Sequence, residues 1–125
     1  MQTVVFIMHR KPIAQGVMQM LKEKSGFNMY YEPDYEHADT AIRERNAKTV
    51  LLEVAENGEY DISYCLSLSA RLKKENPLCK LILMCPEQNQ ACVNEAVVAK
   101  KSGRIDEFVF YDTSVEYLAT KIISM

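Results

Sequence analysis

The chain has 125 residues, 48% of them apolar and 26% charged, the composition of one soluble globular domain with a core of its own. Fifteen Lys and Arg stand against seventeen Asp and Glu, a net charge of −2, which excludes a domain that holds nucleic acid mainly by bulk positive charge but leaves room for a local basic patch. The longest apolar run near the start, residues 4–8, is too short for a membrane span or a signal-peptide core, so a cytoplasmic protein is expected.

That run, Val-Val-Phe-Ile-Met, is the pattern of a strand buried on both faces. Pro12 suits the first turn of a helix whose stripe is Ile13, Val17, Met20 and Leu21, ended by Ser25-Gly26. Phe27, Met29 and Tyr31 alternate with Asn28 and Tyr30, a half-exposed strand closed by Pro33. Asp34 is placed to cap a helix carrying Ala38, Ala41 and Ile42. Residues 49–54 form a third strand, and Glu56-Asn57-Gly58-Glu59 a turn. Asp61 caps the next helix, with the stripe Ile62, Cys65, Leu66, Ser69 and Leu72, which Asn76-Pro77 stops.

Residues 81–85 are a fourth strand, broken at Pro86, and residues 89–101 a helix that ends near Gly103. Residues 108–111 give a fifth strand, and Thr113-x-x-Glu116 a capping box ahead of Val115, Leu118, Ala119, Ile122 and Ile123. Five strands alternating with five helices predict an α/β fold, a doubly wound parallel sheet covered by helices on both faces. Strands one, three and four are fully apolar and belong in the middle. The mixed second strand and the short fifth suit the edges, which gives the flavodoxin-like order 2-1-3-4-5 in a single domain over residues 1–125.

In such a sheet a site lies beyond the carboxyl ends of the strands, at the switch point between strands one and three. That edge collects His9, Arg10 and Lys11 after strand one, Glu53 at the end of strand three, Cys85 after strand four and Tyr111 after strand five. Glu53 stands out as a carboxylate between Leu52 and Val54, where a charge needs a partner or water.

Across its whole length the chain resembles the receiver domain of two-component response regulators. Residues 51–58, Leu-Leu-Glu-Val-Ala-Glu-Asn-Gly, with Asp61-Ile62 beyond, are similar to that family's third strand, acceptor and following turn. Gly58 matches the glycine after the acceptor, and Pro12 the proline that opens the first helix. The resemblance puts Glu53 at the phosphoacceptor position, normally aspartate. His9 and Arg10 fall where two acidic residues help bind magnesium, with Met8 in the pair if the register slips by one. Cys85 takes the place of the serine or threonine, and Tyr111 that of the lysine (Asp112 if shifted). Mg²⁺ wants octahedral oxygen ligands, and one glutamate beside a histidine and an arginine is a poor site for it. Without the metal a transferring phosphoryl group lacks its main charge compensation.

The resemblance therefore implies a degenerate receiver, a pseudo-receiver: a non-enzymatic signalling module with no metal and no cofactor, acting through a protein partner or self-association. In the family the fourth helix, fifth strand and fifth helix form a common dimer or partner face, where Phe108, Phe110, Tyr111 and Tyr117 lie here; aromatics are enriched in interface cores. No membrane contact and no direct binding of nucleic acid by this domain are expected, although an output domain beyond Met125 would be free to bind DNA.

Glu53 is expected to pair with Arg10, or with His9 or Lys11 in its place, neutralising the cleft with fixed side chains. The alternative is a small flavodoxin-like enzyme or ligand-binding domain using the His9/Arg10/Glu53/Cys85 edge, with His9 as general base and Cys85 as nucleophile. Against flavin or dinucleotide stands the missing Gly-rich loop, since the first glycine after strand one is Gly16, inside the helix. His9-Arg10-Lys11 ahead of a helix start is a solvated basic turn or an anion site.

Tyr30, Tyr31 and Tyr35 read as edge-strand packing, and Lys100, Lys101 and Arg104 as cations complementing a helix dipole. Cys65, Cys79, Cys85 and Cys92 form no C-x-x-C pair and read as reduced packing residues. His9 and His37 lack zinc-ligand spacing to them.

Overall fold

A computed structural model describes residues 2–24 and 26–125. In chain order the elements are β1 (Gln2–Ile7), α1 (Lys11–Lys22), β2 (Phe27–Glu32), a 3-10 turn (Tyr35–His37), α2 (Ala38–Arg45), β3 (Thr49–Glu53), α3 (Ile62–Glu75), β4 (Lys80–Cys85), α4 (Gln90–Lys101), β5 (Glu107–Phe110) and α5 (Val115–Ser124). All strands are parallel, in the order β2-β1-β3-β4-β5. The expected order therefore holds, and strand ends differ from the expected ones by one or two residues.

Alternation along the central strands divides the core. Val5, Ile7, Val50, Leu52, Leu81 and Leu83 face α2, α3 and α4, whereas Val4, Phe6, Leu51, Ile82 and Met84 face α1 and α5. Between α1 and α5 the layers come close: a Cβ on Gly16 would sit 3.3 Å from a methyl of Val115. On the half-exposed β2, the more buried positions are Phe27, Met29 and Tyr31, the alternation the sequence carries.

Helix starts follow the local chemistry. Asp61 and Asn89 accept from the backbone N–H groups of Tyr64 and Cys92, three residues on, and so cap α3 and α4. Pro12 sits in the first turn of α1. Asp34 caps as expected, but what it caps is the 3-10 turn, through Glu36 N–H at 3.0 Å, and α2 begins only after it. The capping box at Thr113 does not form. Ser114 caps α5 through Tyr117 N–H, while the Thr113 hydroxyl accepts from Phe110 N–H at the end of β5. The expected stop of α1 at Ser25 lies outside the described residues; Gly26 beside it has φ +90°.

Ion pairs at the opposite end of the sheet hold the edge strand. Lys100 and Lys121 both reach the Glu107 carboxylate at 2.7 Å, and Lys73 reaches Asp106 at 2.6 Å. Lys100, in the last turn of α4 where a cation complements the helix dipole, thus has a carboxylate partner as well. Burial opposes ionisation of Glu107, but the two lysines and the Phe108 N–H outweigh it and hold the carboxyl at about 2. Among the described residues no helix is long and apolar enough to cross a membrane.

Candidate functional site

Glu53 ends β3, and the period of two puts its side chain with Leu51 on the α1 and α5 side of the sheet. It is buried, and its carboxylate faces the chain between β1 and α1. One oxygen accepts from the backbone N–H groups of His9 at 2.8 Å and Arg10 at 3.2 Å. The other accepts from the Arg10 guanidinium, through Nε. Three N–H donors on one carboxylate, one of them charged, supply what burial of the charge requires.

The other end of the Arg10 guanidinium lies 3.2 Å from the Met84 sulfur, and its centre is 3.8 Å from the centre of the Tyr111 ring. One side chain from the end of β1 therefore touches β3, β4 and the residue after β5. Tyr111 is fixed in turn by its hydroxyl, which donates to the backbone carbonyl of Val54. Burial and then the Glu53 charge push the Tyr111 phenol up, against the opposing effect of Arg10, so it stays a neutral donor.

The backbone of Glu53 is held as well. Its carbonyl accepts from the Tyr35 hydroxyl at 2.5 Å, and the Cys65 thiol lies 3.8 Å away. Burial, then Glu53, raises the Tyr35 phenol far out of its ordinary range. Tyr35 also begins a run of rings: it stacks on Tyr60 at 4.5 Å, Tyr60 meets Tyr64 edge-on at 4.9 Å, and the His9 imidazole lies 4.7 Å from Tyr35.

These contacts correct three expectations. The tyrosine cluster consists of Tyr35, Tyr60 and Tyr64; Tyr30 stands apart with the Arg45 guanidinium over its ring at 3.7 Å. His9 reaches Glu53 through its backbone alone, and its imidazole turns to the tyrosines. Cys85 does not join the edge: it is wholly buried on the α2–α4 side, and Met84 is the β4 residue beside Arg10. A hydrogen bond with Cys92, then burial, pushes the Cys85 thiol up. With its thiol wholly buried and pushed up, Cys85 does not fit the part of a nucleophile.

Magnesium fits no better. Both Glu53 oxygens are occupied by N–H donors, and a guanidinium lies against the carboxylate that would bind the cation. Of the four aromatics expected at a partner face, Phe108 and Phe110 meet edge-on at 5.8 Å and pack half-buried against the core, Tyr111 belongs to the site, and Tyr117 is half-exposed.

No family model and no curated protein matches the chain, but solved structures do. An orphan response regulator of H. pylori, HP1043, superposes with a TM-score of 0.78 at 19% identity, over 98% of this chain and 94% of that one. A DNA-binding response regulator of the LuxR family from Staphylococcus aureus gives 0.77 at 20% identity, over 99% and 98%. A CheY-like protein, tadZ, from Pseudomonas aeruginosa PAO1 gives 0.72 at 13% identity, over 99% and 98%. At these identities the likeness establishes the fold, which is that of a receiver domain.

Proposed function

We propose that the chain is a signalling module of the two-component type, a pseudo-receiver that works by binding a protein partner or a second copy of itself in the cytoplasm and catalyses no reaction. The observation that carries this reading is the occupation of the switch point. The acceptor position holds Glu53, both of whose carboxylate oxygens are engaged by N–H donors, and the position of the phosphate-contacting lysine holds Tyr111, covered by Arg10. A guanidinium there supplies permanently the positive charge that a metal ion lends for the length of a phosphoryl transfer. The module then has one charge state at this edge and passes on information through occupancy of its surface.

The partner face proposed is that of α4, β5 and α5, where Tyr117 on α5 is half-exposed and Val98 on α4 largely so. Nucleic acid contact by this domain is not part of the reading.

The test is addition of Mg²⁺ with beryllofluoride or a small phosphodonor to the ¹⁵N-labelled protein, followed by amide shifts and intact mass. The expected result is an unchanged spectrum and mass. Saturable, Mg²⁺-dependent shifts centred on Glu53, or a phosphoryl adduct on it, would overturn the proposal.

A further inference from the structure

We infer that the open edge of β2 pairs with β2 of a second copy of this chain, antiparallel about a two-fold axis at Met29, so that the two sheets run on as one. On the inner side of β2, the N–H groups of Gln2 and Met8 donate to the carbonyls of Gly26 and Glu32. In a parallel ladder of that register the even-numbered residues of β2 bond to β1, and Phe27, Met29 and Tyr31 turn both backbone groups outward. Among the described residues, these outward groups meet no hydrogen-bond partner, and β2 ends the sheet.

Proteins blunt a free edge by keeping it short, by charging it, or with proline, lysine or a bulge. The opposite edge follows this rule: β5 has four residues, and two lysines grip its Glu107. β2 does not. It has six residues, pairs with β1 without a bulge, and carries neither proline nor lysine. Phe27, Tyr30 and Tyr31 are strand formers. Such an edge is a template for another strand.

Three features match this edge to itself. The two-fold axis sets Met29 opposite Met29 and Phe27 opposite Tyr31 of the second copy, so the outward-facing residues meet one another and each pair exchanges both backbone bonds. Their side chains share the α1 face, where a groove of ≈ 320 Å³ lined by Gln15, Met18, Gln19, Lys22 and Met29 flanks the strand. The axis brings the two grooves side by side, and methionine is the side chain that best adapts to fill such a space. The third feature is charge. Lys22 and Lys24 outnumber Glu23 ahead of β2, whereas Glu32 ends it and Asp34 follows. Antiparallel pairing about Met29 sets Lys24 opposite Asp34 of the second copy; parallel pairing would set like charges together. The inference stands independently of the state of Glu53 and of the α4–β5–α5 face, which lies at the other end of the sheet.

It is tested by sedimentation equilibrium of the whole chain from about 10 µM to about 1 mM, with amide exchange followed by NMR over the same range. A monomer–dimer equilibrium is expected. With rising concentration the amides of Phe27, Met29 and Tyr31 should exchange at least about tenfold more slowly, while those of Asn28 and Tyr30, already bonded to β1, change little. Met29→Pro removes an outward N–H that the monomer does not use, and should weaken the dimer at least about tenfold. Met29→Lys, which sets a charge in the paired edge, serves where Met29→Pro does not fold, and weakens the dimer likewise. A single-chain mass throughout, a dimer in which the Phe27, Met29 and Tyr31 amides exchange as fast as in the monomer, or a dimer that either folded variant leaves intact overturns the inference.

Discussion

Replacing Arg10 by Met removes its hydrogen-bonding and charged end while keeping a flexible apolar chain against Tyr111. Glu53 is 5% exposed at its side chain and Arg10 39%, so the pair lies between an exposed ion pair, worth about 0–1 kcal/mol, and a buried one, whose breaking costs about 3–5 kcal/mol. Two backbone donors remain on the carboxylate after the change, so the charge is not stranded. What goes is one hydrogen bond between ionised groups, about 1.5–3 kcal/mol, and a partly exposed cation–π contact, about 0.5–1 kcal/mol. With part of the packing kept by methionine, Arg10→Met is expected to cost about 2–3 kcal/mol. Glu53→Gln leaves acceptors for His9 and Arg10 N–H but removes their charge and the attraction to the guanidinium, for a similar loss. Because the variants remove the same interaction, the double variant should lose less than the sum by about 1.5–2 kcal/mol. Urea unfolding at a common m value measures this, and each single change should lower Tm by about 8–12 °C for a domain of this size. Additivity within about 0.5 kcal/mol would refute the coupling and with it the account of the switch point.

At the opposite edge, Glu107 has a carboxyl held at about 2, well below its ordinary 4.5. A depressed carboxyl adds stability above its unfolded value and loses it as pH falls through the folded one, so the deficit of Glu107→Gln relative to the wild type should shrink between about 4.5 and 2. Urea midpoints across that range check it, and a constant deficit would be the contrary result. Cys65 and Cys85 are wholly buried with thiols pushed up, by burial at Cys65 and by the Cys92 hydrogen bond and burial at Cys85. Iodoacetamide at neutral pH should alkylate them about a hundredfold more slowly in the native than in the unfolded protein, as read by peptide mass. Prompt labelling of Cys85 would contradict its place in the core.

What could be read from the sequence is what repeats along it. The mostly apolar runs at residues 4–8, 49–54 and 81–85 mark central strands because burial on both faces leaves few polar positions, and the strand order follows from which strands are mixed. Asp61 announces a cap because a side-chain oxygen three residues ahead of an amide has few other uses. The pairing of Glu53 with Arg10 was legible from a lone carboxylate in an apolar strand. The partners of Arg10 beyond Glu53 were not: Met84 and Tyr111 meet it only after the sheet has assembled, and no spacing encodes that. The same holds for Tyr35, Tyr60 and Tyr64, which come from a 3-10 turn, a loop and a helix and stack where those cross. Thr113 failed as a cap because its hydroxyl had a nearer amide to serve at the end of β5, with Ser114 next in line for α5.

The reach of Arg10 has a mechanical side. By touching Glu53, Met84 and Tyr111 at once, its guanidinium acts as a strap over one rim of the sheet, and Tyr111 is buckled to the backbone of Val54 beneath it. A push on the last strand from outside has no slack to take up there. It arrives at the middle of the sheet through that side chain as well as through the β4–β5 ladder.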